Sequence, residues 1–209
     1  MSQKTRKELR KLKIQARDSF STEEREQLSK KISDQILASE EFQQSETVLI
    51  YRGIRGEVRL EALEDAVKAT AGGQDLLAGN QTEADIHPEK WLVYPLCISD
   101  CEMIALLPED ETAWKSGYCK IQEPVRERSK EIAPEEIDMV ICPCTVFDEQ
   151  GGRMGMGAGF YDRYLEKCTN AVVAAAAFEC QKTEAVPREP WDRPMDMIFT
   201  EKTTYRVKQ

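Results

Sequence analysis

Histidine is almost absent from this sequence, since His87 is the only one among 209 residues. Catalytic schemes with a histidine base are therefore excluded unless His87 itself provides the base. The seven cysteines are odd in number and include no C-x-x-C pair, whereas a structural zinc ion needs four well-placed ligands. We expect free thiols and no zinc site.

Long apolar runs are also lacking. The longest, AVVAAAAF at residues 171–178, is far shorter than the ~20 residues that span a bilayer. The first residues, MSQKTRKELRKLK, are charged and lack the apolar segment of a secretory signal. These features predict a cytoplasmic protein with no membrane partner.

Positive charge is in the minority, with 29 Lys and Arg against 38 Asp and Glu and a net charge of -9. The summed field of such a chain repels polyanions, so nucleic acid is not expected as a partner. A small anionic ligand remains compatible, because its site needs only a few positive groups at short range.

The helical signals begin at the first residues, and the length fits one domain spanning residues 1–209. A first amphipathic helix is predicted with an apolar face formed by Leu9, Leu12, Ala16 and Phe20. Its basic face is formed by Arg6, Arg10, Lys13 and Arg17. Ser21 and Glu24 predict a capping box that starts a second helix. A third helix is marked by Leu60, Leu63 and Val67.

Short apolar runs of strand character occur at six places: residues 47–51, 91–97, 103–107, 137–143, 171–178 and, last, 195–200. The stretch from 108 to about 133 is predicted to be irregular, and the polar stretch 72–90 to be a surface insertion. Strands that alternate with helices predict a three-layer α/β/α sandwich with a mainly parallel, Rossmann-like sheet.

Five of the 11 glycines fall in one stretch, GGRMGMGAGFYDRYL at residues 151–165. Gly155, Gly157 and Gly159 alternate along the chain, which lets the backbone adopt positive φ and turn several amides toward one anion. The helix that follows adds its own free amides at the same place. This pattern predicts an anion-binding turn.

Two charged side chains in this stretch suggest what the anion is. Arg153 provides a planar fork suited to phosphate oxygens, and Asp162 is the type of oxygen ligand that Mg²⁺ takes beside nucleotide phosphates. The stretch matches neither G-x-G-x-x-G nor the Walker motif, which ends in G-K-[ST]. A structural loop in which Asp162 caps the helix is the alternative.

The whole string resembles the signature G-x-R-[LM]-G-x-G-x-G-[YF]-Y-D of the 5-formyltetrahydrofolate cyclo-ligase family, also called methenyltetrahydrofolate synthetase. Further matches follow in order along the chain: RKELR (6–10), GEV (56–58), EEIDMVICP (135–143), AFECQ (177–181) and PREPWDRPMD (187–196). The resemblance implies an enzyme that uses MgATP to phosphorylate the formyl oxygen of 5-formyltetrahydrofolate. Attack by N10 then gives 5,10-methenyltetrahydrofolate, ADP and phosphate.

The resemblance also implies roles for particular residues. Those expected to bind ATP are Arg6, Lys7, Arg10, Arg153, Met154, Gly155, Met156, Gly157, Ala158, Gly159, Phe160 and Tyr161. Those expected to bind the folate are Tyr51, Arg52, Glu57, Phe160 and Tyr161. Arg153 and Asp162 are the expected catalytic residues, with Asp162 on magnesium and Asp196 as a second acid near it. Each group of residues also has a purely structural interpretation. In that interpretation the basic residues form a solvated helix face, the acids stabilise the first turn of a helix, and the aromatic residues pack in the core.

Several positions depart from the family pattern. Relatives often carry lysine or glycine where Ala158 stands, arginine, tyrosine or glutamine at Met156, aspartate at Glu179 and histidine at Trp191. These departures leave two alternatives open. One is a relative that binds nucleotide or folate without turnover, and the other is a different α/β enzyme, such as a phosphosugar isomerase or CoA transferase, that shares only the architecture. Either a monomer or a homodimer is expected.

Overall fold

A computed structural model describes residues 5–72, 90–117 and 122–207. These residues form five α-helices: α1 (Arg6–Asp18), α2 (Thr22–Leu37), α3 (Glu40–Gln44), α4 (Glu61–Gly72) and α5 (Phe160–Leu165). The strands up to the middle of the chain are β1 (Thr47–Leu49), β2 (Trp91–Cys97), β3 (Met103–Pro108), β4 (Trp114–Ser116), β5 (Gln122–Pro124) and β6 (Ser129–Ile132). The later strands are β7 (Met139–Pro143), β8 (Val146–Phe147), β9 (Arg153–Met154), β10 (Val172–Ala176), β11 (Met197–Phe199) and β12 (Thr204–Arg206).

Eight strands form the central sheet in the order β12-β11-β10-β7-β1-β2-β3-β6. The middle of the sheet, from β11 to β2, is parallel, and antiparallel strands lie at both edges. The predicted α/β architecture with a mainly parallel sheet is thus confirmed. Two short hairpins, β4-β5 and β8-β9, stand apart from the sheet.

Several elements differ from the sequence prediction. The stretch 108–133, predicted to be irregular, contains β4, β5 and β6, and β12 follows the strand predicted to be last. The helix α3 and the hairpin β8-β9 have no counterpart in the prediction. These elements are short, two to five residues each, so they are too short to show a clear period in the sequence.

The first two helices begin at capping boxes. At α1 the Thr5 side chain accepts from the Glu8 amide while the Glu8 side chain reaches the Thr5 amide. Ser21 and Glu24 make the same reciprocal pair at α2, as predicted. Each box satisfies amides that a helix start otherwise leaves unpaired.

Side chains of the parallel strands alternate between the two faces of the sheet, and both faces are covered. Val48 packs with Ile32 of α2 and Leu63 of α4 on one face. Leu49 packs with Leu165 of α5 on the other. Burial on both sides is typical of parallel sheets, and it explains why the sequences of β1, β7 and β10 are almost wholly apolar.

The face that α1 buries differs from the prediction. Leu9 is buried, but Leu12 is 43% exposed and Arg17 only 1% exposed, so part of the predicted basic face points inward. The surface beneath α1 explains this, because it presents carbonyl oxygens: Lys13 Nζ donates to that of Cys180 at 3.0 Å, and Arg17 Nη2 to that of Arg55 at 2.8 Å. Long cationic side chains can bury their stems there and still pair their charged ends.

Some predictions fall on other parts of the chain. The insertion at 72–90 lies almost entirely outside the described residues, as do His87 and Cys119. Within the described residues, no helix is long and apolar enough to cross a membrane, and the six cysteines are free thiols.

Candidate active site

A cavity of about 460 Å³ opens where the parallel strands end. Tyr51 and Arg52 follow β1, Cys97 ends β2 and Pro143 ends β7, and all four line the cavity. Ligands of open α/β sheets bind outside the carboxyl ends of the strands. The cavity therefore occupies the place where this architecture predicts a ligand.

One end of the cavity is built from α1 and the glycine-rich turn, and we call it the turn end. Arg10 Nε donates to the carbonyl oxygen of Gly155 at 3.0 Å. Arg6 Nη1 donates to Asp192 Oδ2 at 2.7 Å and to the Pro187 carbonyl oxygen at 2.9 Å. Burial and the neighbouring charge of Arg6 lower the pKa of Arg10, but a guanidinium still stays protonated near neutral pH. Both of these arginines of α1 thus line the turn end, in a protein that is acidic as a whole.

The glycines of the turn are required for two physical reasons. The φ angle is +113° at Gly157 and +71° at Gly159, values that disfavour any residue with a Cβ. The sequence predicts a positive φ for Gly155 as well, but the φ angle of Gly155 is not positive. An added Cβ there would lie 3.1 Å from Arg153 Nη1, so the buried guanidinium would have to shift to accept a side chain at this position.

Arg153 lies beneath the turn, with 3% of its side chain exposed. Its Nη2 donates to Asp162 Oδ1 at 2.8 Å, and its Nη1 donates to the Pro143 carbonyl oxygen at 3.1 Å. Its Nε has no hydrogen-bond partner among the described residues. The sequence predicts a fork suited to phosphate oxygens, and in this structure two of its three nitrogens hold Asp162 and the end of β7.

Two carboxylates line the turn end, Asp162 and Asp192. Burial opposes the ionisation of Asp192, but the hydrogen bonds from Arg6 and the Glu189 amide, together with the charges of Arg6 and Arg153, outweigh it and lower the pKa. Asp196, predicted as the second metal ligand, is not among the residues lining the cavity, and its carboxylate accepts the Val173 amide at 2.8 Å. The described residues hold no group of three or more His, Cys, Asp or Glu side chains placed to bind a metal ion.

Another part of the cavity wall, which we call the carboxylate end, contains Glu57 and two tyrosines. Glu57 is 7% exposed, and its Oε2 accepts the Ile54 amide at 3.0 Å. Burial raises its pKa, while the Ile54 amide and Arg17 act in the opposite direction. The hydroxyls of Tyr51 and Tyr161 are buried without a partner among the described residues. Because an unpaired buried hydroxyl costs free energy, a polar ligand that reached them would be stabilised.

Arg52 borders the carboxylate end and is held from several sides. Its guanidinium carbon lies 3.8 Å from the centre of the Trp114 ring and 5.6 Å from that of Tyr94. Its Nη2 donates to Glu64 Oε2 at 3.1 Å. Cation–π contacts and a partly buried ion pair fix its orientation, so it presents a rigid positive edge to the cavity.

The structure brings most of the predicted site residues to this cavity: Arg6, Arg10, Tyr51, Arg52, Glu57, Arg153, Gly155, Met156, Gly157, Ala158, Gly159, Phe160, Tyr161 and Asp162. Two predicted ATP-binding residues are not among those lining it. Lys7 is exposed on α1, because one residue along a helix turns the side chain by ~100°. Met154 is buried in a small cluster with Leu9, on the face of β9 opposite to that of Arg153.

Several residues of the cavity wall do not stand out in the sequence. Asp192 is one, although it lies in the PREPWDRPMD match four residues before Asp196. Tyr94 and Arg163 are others. The only signal for Asp192 is its place in that motif, since spacing alone does not show which of two nearby acids faces a cavity.

The fold and the cavity define an α/β protein with an arginine-lined, glycine-rich turn at the carboxyl ends of its parallel strands. The sequence matches the model of the 5-formyltetrahydrofolate cyclo-ligase family over residues 2–201. This chain belongs to that family.

Individual relatives agree with this assignment. The 5-formyltetrahydrofolate cyclo-ligase of Haemophilus influenzae is 27% identical over 199 residues, which cover 92% of this chain and 94% of that protein. The protein of the same name from Escherichia coli K12 is 25% identical over 195 residues, covering 89% and 94%.

Solved structures are similar as well. The NMR structure of Aquifex aeolicus 5,10-methenyltetrahydrofolate synthetase has a TM-score of 0.78 and 30% identity, and covers 97% of this chain and 93% of that one. A 5,10-methenyltetrahydrofolate synthetase from Mycoplasma pneumoniae has a TM-score of 0.68 and 25% identity, with coverage of 92% and 96%.

Proposed function

We propose that this protein catalyses the ATP-dependent cyclisation of 5-formyltetrahydrofolate to 5,10-methenyltetrahydrofolate, with ADP and phosphate as the other products. The observation that carries the proposal is a single cavity with two different ends. The turn end combines arginines with a glycine-rich turn, and the carboxylate end combines Glu57 with unpaired tyrosine hydroxyls. Family membership and the two 5,10-methenyltetrahydrofolate synthetase neighbours support it.

The turn end suits the phosphates of ATP. Arg10 brings its guanidinium to the backbone at Gly157, where the ideal Cβ position lies 3.5 Å from Arg10 Cζ, and Arg6 lines the same cavity. Charge-assisted hydrogen bonds to phosphate are worth about 1.5–3 kcal/mol each. Because α5 has only six residues, the backbone contribution is assigned to the turn itself and not to a helix dipole.

The same end suits a magnesium ion that arrives with the nucleotide. Mg²⁺ at nucleotide sites usually takes one or two protein carboxylates and completes its shell with phosphate oxygens and water, so two aspartates suffice. Asp162 would hold the ion, and Asp192, which lines the cavity, replaces Asp196 as the second candidate. When bound, the ion neutralises charge on the phosphates.

The carboxylate end suits the pterin. An aminopyrimidine edge offers two N–H donors, and an ionised carboxylate such as that of Glu57 accepts both. Tyr51 and Tyr161 offer hydroxyls to the polar atoms around the ring. Phe160 and Tyr161 provide aromatic surface beside it.

The reaction needs substrates held in line more than it needs a side-chain base. The formyl oxygen attacks the γ-phosphorus and the bond to ADP breaks. N10 then attacks the formyl carbon and loses its proton, and the carbon–oxygen bond breaks to release phosphate. Positioning of this kind contributes about 7–11 kcal/mol to lowering a barrier, and it accords with a sequence that holds one histidine.

The test is to mix the protein with 5-formyltetrahydrofolate and MgATP and follow the methenyl absorbance together with ADP. We expect both products to form in equal amounts, and neither to form when one substrate is omitted. ATP hydrolysis without the methenyl product, or binding of both ligands with no product, would overturn the proposal.

A further inference from the structure

Arg17, near the end of α1, is a buried cation that the proposed chemistry does not use directly. Its Nη2 donates to the Arg55 carbonyl oxygen at 2.8 Å, and its Nη1 lies 3.9 Å from Glu57 Oε1. Nε and Nη1 have no hydrogen-bond partner among the described residues. Burying a guanidinium that is only partly hydrogen-bonded opposes stability, so a role in folding alone does not account for this residue.

The segment that Arg17 contacts is a tight turn. The Glu57 amide donates to the Ile54 carbonyl oxygen at 2.9 Å, and φ is 44° at Arg55 and 81° at Gly56. Two positive φ values between such a hydrogen-bonded pair define a type I′ turn. Because Arg55 has a Cβ, this backbone is disfavoured there, and the bond from Arg17 to its carbonyl oxygen holds it in place.

The turn also lies directly on the end of α1. A Cβ added at Gly56 would meet Asp18 Oδ1 at 2.6 Å and would lie 3.6 Å from Arg17 Nε. The position of the turn is therefore tied to the Arg17 side chain by close packing as well as by a hydrogen bond.

Both oxygens of Glu57 are consequently fixed. Oε2 accepts the Ile54 amide at 3.0 Å, and Oε1 faces Arg17. Glu57 lines the cavity whereas Arg17 does not border it, so Arg17 can act on a ligand only through Glu57 and the turn.

We propose that Arg17 is a positioning residue for the folate: its guanidinium holds the Ile54–Glu57 turn and keeps the Glu57 carboxylate ionised and directed into the cavity. The inference rests on the proposed function. Arg6 and Arg10 of α1 lie at the turn end. With Arg17, the same helix would also support the carboxylate end.

The charge of Arg17 is expected to shift the pKa of Glu57 in a direction that can be measured. Burial raises the pKa of Glu57, and the Ile54 amide and the charge of Arg17 lower it. A carboxylate with a raised pKa loses its charge as the pH falls through that value. Without Arg17 the pKa rises further, so the charge is lost at a higher pH.

Other titratable groups facing Glu57 do not obscure this effect. Tyr51 after β1, Tyr161 on α5 and Cys144 after β7 are buried, and burial raises the pKa of each, that of Cys144 to about 12. They stay neutral around neutral pH. Asp18 lies on the solvent side of Arg17 and is half exposed, so its charge is largely screened.

The experiment measures the folate KM, with 5-formyltetrahydrofolate as the varied substrate, against pH for the full-length protein. As the pH is lowered, the folate KM is expected to rise when Glu57 loses its charge. In Arg17→Met we expect this rise to begin at a pH about one unit or more above that of the unaltered protein, while the KM for ATP changes less than about twofold. Arg17→Lys keeps the charge and should retain most of the pH profile, with a raised folate KM because the bond to the Arg55 carbonyl is lost. Arg25→Met is the control, since Arg25 on α2 is partly buried and, like Arg17, donates to a carbonyl oxygen, that of Phe20.

A second measurement shows whether Arg17 acts through Glu57. In the Glu57→Gln background the turn has no carboxylate to present to the folate and none to keep charged, so Arg17→Met and Arg17→Lys should each change the folate KM less than about twofold. Equal effects of these substitutions in both backgrounds would overturn the inference. If Arg17→Met fails to fold, the Arg17→Lys and Glu57→Gln pair decides the question alone.

Failure of the inference and failure of the proposed function are distinguishable. Absence of the methenyl product with the unaltered protein contradicts the proposed function. Product formation with an Arg17→Met profile that matches the Arg25→Met control contradicts the inference alone.

Discussion

Each carboxylate at the turn end is paired with an arginine. Asp162 pairs with Arg153 at 2.8 Å and Asp192 with Arg6 at 2.7 Å. These charge-assisted bonds orient the acids before any ligand arrives. Such pairs suit a site that must receive both a cation and an anion, because groups of both charges already lie at the cavity wall.

The carboxylate of Asp162 is expected to matter for turnover and little for folding. In Asp162→Asn the amide oxygen still accepts from Arg153, but the negative charge for a metal ion is lost. We expect turnover to fall on the order of 100-fold, and the Mg²⁺ concentration for half-maximal rate to rise. Steady-state kinetics at varied Mg²⁺ check this.

Asp138→Asn is the control for this substitution. Its carboxylate accepts the amides of Glu46 and Thr47 away from the cavity, so its loss should affect stability and leave Mg²⁺ dependence as it is. If Asp162→Asn behaved like this control, the metal role of Asp162 would be refuted.

At the scale of elements, α1 links the two ends of the cavity. It brings Arg6 and Arg10 to the turn end, and it places Arg17 against the Ile54–Glu57 turn. Leu9 is buried with Val146 of the β8-β9 hairpin, which anchors the helix beside the glycine-rich turn. The position of α1 is therefore expected to control the affinity for ATP.

Leu9 and Leu12 provide a matched pair that tests this role of α1. Leu9 is 6% exposed and Leu12 43% exposed. Leu9→Ala should lower the free energy of unfolding by about 2–4 kcal/mol and raise the KM for ATP, because the helix is less firmly docked. Leu12→Ala should change both only slightly. Chemical denaturation and ATP kinetics measure the two effects, and equal losses in both variants would contradict this account of the helix.

How far the sequence predicts these elements depends on what they pack against. The capping boxes and the apolar strands β1, β7 and β10 are predictable because their signals are local. The inward turn of Arg17 is not, since helical periodicity assumes an apolar partner surface and the surface under α1 is rich in carbonyl oxygens. The glycine-rich turn is predictable too. The sequence does not show, however, that Gly157 has a positive φ whereas Gly155 is limited by the nearby Arg153 side chain, and only the geometry distinguishes them.

For the whole molecule, topology explains why residues far apart in sequence share one cavity. The neighbouring parallel strands β7, β1 and β2 end at the same edge of the sheet, so the segments after them converge. Tyr51 and Tyr161 meet at the cavity in this way although more than half of the chain separates them. The sequence predicts this parallel core but not the strands at the two edges, because β6 and β12 are only four and three residues long and partly exposed.

The central claim is that this one cavity transfers the γ-phosphoryl group of ATP to the formyl oxygen. The most direct test uses 5-formyltetrahydrofolate with a heavy oxygen isotope in the formyl group, followed by mass analysis of the released phosphate. The account predicts that each phosphate carries one labelled oxygen, because the carbon–oxygen bond breaks after phosphorylation. Release of unlabelled phosphate alongside the methenyl product would contradict it.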